Sequence, residues 1–224
     1  MGAQIDQEQW TGGRVVRFSI AVVVMQALGV GIAIWLYTSL ESSVTSRVWV
    51  EAVVPWLSHA PILVALYVTR KRSGRMQLWD WADLLSFKGL VALAAVLGVS
   101  FVVTSVTTGA PNSEVLWRSV TQALQSEGLV VVWSILYTGG RLALIPLVEE
   151  WLFRGVIQPV LVVKWGTVPG VVVTAVFFAG MHGSTLRGVM LVLGAIWGWF
   201  GTRNRSLAPL IMVHALYNAG YLML

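Results

Sequence analysis

Within one apolar stretch the chain places two adjacent glutamates and an arginine, Glu149-Glu150-Trp151-Leu152-Phe153-Arg154. Two histidines follow in later apolar stretches: His182, and His214 with Asn218 four residues after it. A carboxylate that accepts a proton, beside imidazoles that accept or donate one, is the equipment for activating water. Ionisable side chains are expensive in hydrocarbon, and segments that keep them turn them toward an interior site or pathway. These residue types point to hydrolysis of a peptide bond inside a bilayer.

Helical spacing separates the two carboxylates. Glu150 and Arg154 are four apart and share a face, so they can form an ion pair. Glu149 is turned by about 100° from its neighbour and meets different partners. The expected division of labour is that Glu150 and Arg154 fix the helix, while Glu149 serves as base. The competing reading is one buried charge network without chemistry. Measured from a turn near Gly166, Glu149 lies 17 residues back and His182 lies 16 forward. Both are then about 25 Å from the turn, so an antiparallel hairpin brings them to one depth. His214 and Asn218 share a face of the last apolar stretch, at about 12 and 18 Å from a turn at Ser206. Phe153 and Phe178 are expected to pack the site and exclude solvent. Glu51 and His59, eight apart, are assigned structural roles, pairing with each other or with Arg141.

Several chemistries are excluded. No aspartate falls inside an apolar segment, so an intramembrane aspartyl protease is ruled out, and no G-x-S-x-G is present for a serine nucleophile. Neither His182 nor His214 belongs to an H-E-x-x-H zinc motif. With no cysteine in the chain, disulfides, thiolate metal sites and cysteine nucleophiles are excluded as well.

The elements that must position these residues are transmembrane helices. Of 224 residues, 57% are hydrophobic and only 11% charged, against about a quarter charged in a soluble domain, and mean hydropathy is +0.77. Apolar runs fall at 18–40, 48–69, 89–108, 129–163, 169–183, 186–202 and 207–224. The fold expected is all-α: a polytopic transmembrane bundle of about seven spans, with room for six to eight at roughly twenty residues each. Residues 1–224 form a single integral membrane domain, 129–224 its catalytic core helices and 1–128 its accessory spans. The run at 129–163 is too long for one straight crossing, and Gly139-Gly140 and Pro146 are expected to break it. Residues 76–87 and 112–127 are expected to lie along the interface. Gly194 and Gly198 mark close helix packing. The polar start, with Asp6 and Glu8, does not read as a signal peptide, so the first span is expected to stay as an anchor. Seven spans with a cytoplasmic N-terminus place ten basic residues inside and three outside, the bias of the positive-inside rule. The formal charge of +5 gives no reason to invoke nucleic acid.

Three motifs in order, Glu149-Glu150-x-x-x-Arg154, Phe178-x-x-x-His182 and His214-x-x-x-Asn218, make residues 141–220 similar to the CPBP (CAAX protease and bacteriocin-processing, or Abi) family of intramembrane glutamate proteases. That family includes the type II CAAX prenyl endopeptidases. The resemblance implies that Glu149, aided by His182, activates a water, and that His214 and Asn218 donate hydrogen bonds to the oxyanion. Glu150, Arg154 and Phe178 would support them. It implies no cofactor; an older view of the family assigns a zinc ion, which here would use Glu149, His182 and His214. The implied partner is a membrane-anchored or lipidated protein cleaved near its C-terminus, and the implied location a bacterial inner (plasma) membrane. Charge-based topology puts Glu149 and His182 in the outer half of the bilayer, which favours exported substrates over cytoplasmic CAAX tails. Oligomeric state is left open. The rival from another class is a non-enzymatic membrane transporter or scaffold, since buried Glu, His and Arg also mark proton-coupled transport.

Overall fold

The computed structural model describes residues 12–39, 44–73, 91, 94–100, 102, 130–183, 186–204 and 206–223. Among them every regular element is helical, as the composition required. The helices are α1 (Gly12–Ser39), α2 (Val44–Ser73), α3 (Val130–Trp165), α4 (Thr167–Gly180), α5 (Arg187–Gly201) and α6 (Ala208–Met223), with a further helical stretch at 94–100. The expected interfacial segments 76–87 and 112–127, and most of the span at 89–108, lie outside the described residues. By length and composition, the window Trp49–Tyr67 of α2 and the whole of α3 can cross a membrane, whereas α4 and α5 are apolar but shorter.

The expected break in the fourth run does not occur. α3 continues for 36 residues, about 54 Å at helical rise, because two π-helical segments absorb the irregularities. The first spans Gly140–Leu144, where the Ile145 N–H reaches back five residues to the Gly140 carbonyl. Pro146 has no N–H to give, and the skipped bond keeps the ladder running past it. The second spans Trp151–Ile157, closed by the Gln158 N–H on the Phe153 carbonyl just before Pro159. Six residues of α-helix, Ile145–Glu150, lie between the two. Such π segments recur at functional sites.

α3 turns into α4 at Gly166, whose φ of +89° is open to glycine alone in practice. The tight hairpin presses α4 onto α3: a Cβ on Gly170 would sit 2.7 Å from the Val162 N and 2.8 Å from its Cα. Both are backbone atoms that cannot step aside. Gly170→Ala should therefore lower stability by about 1–3 kcal/mol, the usual range for overpacking; thermal unfolding in detergent micelles measures it, and an unchanged midpoint would contradict this packing. Gly194 and Gly198 do bring α5 close, as expected. A Cβ on Gly194 would lie 3.3 Å from the Ala175 Cα, and one on Gly198 would lie 2.8 Å from Gln158 Oε1. Their carbonyls also accept from α3: Arg154 Nη2 reaches Gly194 O at 3.4 Å, and Gln158 Nε2 reaches Gly198 O at 2.9 Å. Two side chains one turn apart thus bond two carbonyls one turn apart.

Among the described residues, several charged side chains lie inside an otherwise apolar core and stripes of apolar residues face outward. Glu149, Glu150, Arg154, Gln158, His59 and His214 are buried, while Ile20, Val24 and Leu28 on α1 and Val168, Val172 and Val176 on α4 are exposed along one face of their helices. In water such stripes would seek a partner.

Candidate active site

Glu150 is fully buried, and its Oε1 accepts two charge-assisted contacts: Arg154 Nη1 at 3.0 Å and His214 Nδ1 at 3.0 Å. The ion pair expected from the four-residue spacing is present, and it recruits a histidine from α6. The Arg154 guanidinium also lies 4.5 Å from the ring centroid of Phe178. That ring is wholly buried and makes an edge-on contact with Phe153 at 5.2 Å. The two phenylalanines pack the site as their positions suggested. Trp197 closes the same wall, 4.8 Å from the His214 ring, and its Nε1 donates to Ser100 Oγ at 3.0 Å. This bond ties the 94–100 stretch into the core.

Glu149 faces another way. Its Oε2 lies 3.8 Å from His214 Nε2, and its Oε1 lies 3.5 Å from His59 Nε2. All three histidines of the chain fall within electrostatic range of this one carboxylate. Glu149 Oε2 and His59 Nε2 are buried without a hydrogen-bond partner among the described residues. Buried polar atoms are nearly always satisfied, and a water about 2.8 Å from both Glu149 Oε2 and His214 Nε2 fits ordinary hydrogen-bond lengths.

Each imidazole is held through its other nitrogen. The Glu150 carboxylate accepts only, so His214 Nδ1 carries a proton; neutral His214 then offers Nε2 as an acceptor, and only the imidazolium can donate from it. His182 lies just past the end of α4, with Nδ1 2.8 Å from the Phe178 carbonyl. That carbonyl also accepts, which leaves the Nε2 of a neutral ring free to accept. Its own carbonyl receives Arg187 Nε at 3.3 Å, bracing the turn.

Among the described residues Asn218 bonds outside this cluster, in a way the sequence had not suggested. Its Nδ2 donates to the Arg141 carbonyl at 2.9 Å. That carbonyl is an orphan of the first π segment: Ile145, its α-helical partner, has turned to Gly140, and Pro146, its π-helical partner, lacks an N–H. One amide proton of Asn218 is therefore committed to tying α6 to α3, and the second remains to donate. The Arg141 guanidinium lies 4.5 Å over the Tyr137 ring.

His59, assigned a structural role from sequence, is the site residue that spacing missed. It sits on α2, distant in the chain from every motif. A signal for it did exist, since it is the one remaining histidine and lies between Pro55 and Pro61 in a segment apolar enough to span. Its neighbour Glu51 is exposed.

Among the described residues no three His, Asp or Glu side chains are arranged to hold a metal ion. No curated protein and no solved structure matches the chain. One family model does, over residues 131–220, a segment that runs from α3 into α6 and includes all three motifs but not His59. The model is described as Type II CAAX prenyl endopeptidase Rce1-like, and it is this family that the segment carrying the glutamate pair matches.

Proposed function

We propose that the protein is an intramembrane endopeptidase that hydrolyses a peptide bond near the C-terminus of membrane-anchored or lipidated proteins, in a bundle of about seven spans with a cytoplasmic N-terminus. The observation that carries this reading is the buried Glu149 carboxylate, faced by histidines from separate helices, with one oxygen lacking a hydrogen-bond partner among the described residues. The family's description as CAAX prenyl endopeptidases supplies the substrate class. The outward apolar stripes support a lipid setting, because their valine and isoleucine side chains need an apolar solvent and the charges do not.

In the chemistry proposed, His214 is an imidazolium throughout, its Nε2–H donating to the oxygen of a water that gives one proton to Glu149 Oε2 and a hydrogen bond to His182 Nε2. The hydroxide adds to the scissile carbonyl, and Glu149 returns the proton to the leaving amine as the C–N bond breaks. His214, as imidazolium, and the uncommitted N–H of Asn218 donate to the tetrahedral oxyanion, each worth ~3–4 kcal/mol at such sites. Glu150 and Arg154 hold His214 in place. No step passes through a metal. A transporter or scaffold would keep the same charges buried; the match of residues 131–220 to an endopeptidase family favours the protease.

Comparison of membrane-protein C-termini in cells carrying wild type or Glu149→Gln tests the reading. Trimmed C-termini should be present with wild type and full-length ones should accumulate with the variant. Identical C-termini in the two would remove the protease assignment.

A further inference from the structure

Residues 131–220 contain all three family motifs, yet one wall of the Glu149 pocket comes from outside that segment. We infer that His59 of α2 is a positioning residue that holds the Glu149 carboxylate by Oε1, so that Oε2 is presented to the attacking water. The inference rests on the protease reading above and adds to it a part of the machinery carried by the accessory half of the chain.

Three features show that the His59 turn is built rather than incidental. His59 is 7% exposed and Glu149 9%, so this 3.5 Å pair is largely withdrawn from water. The ring is anchored behind, with Nδ1 2.8 Å from Ser58 Oγ and 3.2 Å from the Pro55 carbonyl. Finally, the backbone carrying it is clamped on two sides. Gly29 of α1 approaches so closely that a Cβ there would lie 2.7 Å from the Ser58 Cα, and Gly140 of α3 would meet the Pro55 Cβ at 2.9 Å. Trp56 Nε1 fastens the same turn to the Leu136 carbonyl at 2.9 Å. Glycines on both neighbouring helices thus allow α2 to deliver one imidazole to one carboxylate.

The proton inventory fixes the direction of the contact. A carboxylate oxygen only accepts, so a favourable contact needs a proton on His59 Nε2. Nδ1 permits this in two ways. A neutral ring accepts the Ser58 hydroxyl proton there when that hydroxyl turns away from the Val54 carbonyl, 2.8 Å from its Oγ, and a doubly protonated ring donates to the Pro55 carbonyl. The separation of 3.5 Å is long for a hydrogen bond, as catalytic contacts often are before substrate tightens them. Oε1 occupied by His59 leaves the other oxygen directed at His214, where the water is placed. Loss of the anchor would let the carboxylate rotate, and misplacement by about 1 Å can cost roughly 100-fold in rate.

The test uses the full chain in lipid vesicles with a farnesylated peptide ending in Cys-aliphatic-aliphatic-X as probe. His59→Leu should lower kcat roughly 100-fold with KM unchanged. His59→Gln, whose amide can place a donor where Nε2 was, should restore most of the rate, and His59→Asn, whose shorter amide reaches only the Nδ1 position, should not. Equal rates for the Gln and Asn variants, or a His59→Leu enzyme as fast as wild type, would overturn the inference. Glu149→Gln, run alongside, separates the two levels: if it still cleaves, the protease mechanism itself fails. A readout independent of turnover is ¹⁵N NMR of histidine-labelled protein, in which three rings are assignable by single substitutions. Glu149→Gln should shift the His59 Nε2 resonance, and an unmoved resonance would also overturn the inference.

Discussion

Glu149→Gln should abolish cleavage while leaving the protein folded. Glutamine has the shape of glutamate and can still hydrogen-bond to the imidazoles around it, but its amide cannot serve as the base. General-base catalysis contributes roughly 10²–10⁴-fold, and here the same carboxyl also returns a proton to the amine, so the loss should lie at the upper end. The unfolding midpoint should not fall, because the substitution removes a buried charge whose Oε2 has no hydrogen-bond partner among the described residues. Turnover and thermal unfolding are to be measured on the same preparation. Excess chelator should leave the wild-type rate unchanged, since no step proposed passes through a metal. A Glu149→Gln enzyme within a few-fold of wild type would end the catalytic assignment.

Glu150→Ala fails in the opposite way, by unfolding. Glu150 Oε1 is the shared acceptor of Arg154 and His214, and the carboxylate is wholly buried. Alanine leaves Arg154, 4% exposed, with the Gly194 carbonyl and the rings of Phe178, Phe153 and Trp197 around its guanidinium but no carboxylate among the described residues to answer its charge. Breaking a buried ion pair by deleting one partner costs about 3–5 kcal/mol, a large share of the total stability of a domain. Glu150→Gln retains an oxygen that can accept both bonds, so it should unfold later and keep partial activity. Denaturant or thermal unfolding in detergent distinguishes the three proteins; Glu150→Ala as stable as wild type would show that the triad does not hold the helices together.

Much of this site was legible before any coordinates. The Glu150–Arg154 pair followed from four-residue spacing, the hairpin from Gly166, the close approach of α5 from Gly194 and Gly198, and the aromatic wall from Phe153 and Phe178. These are local or periodic features, which an α-helix makes readable. His59 was not legible, because spacing along a chain says nothing of which helices become neighbours, and the glycines that bring α2 to α3 bear no visible relation to a histidine. The continuity of α3 was missed for a different reason. Gly139-Gly140 and Pro146 do mark an irregularity, but whether a helix breaks or skips one hydrogen bond depends on what satisfies the freed carbonyl. That answer is Asn218, 77 residues away from Arg141, whose position had suggested only an oxyanion donor.

The two skipped bonds in α3 also make the six residues between them a separately phased insert. Each extra residue advances the winding by about 100°, so the stretches before, within and after the insert point their faces by different clocks. Periodicity averaged over the whole helix therefore blurs. Deleting one residue from 141–144 would make the Ile145-to-Gly140 bond an ordinary four-residue one, so both carboxylates would keep their face while the sequence period became regular.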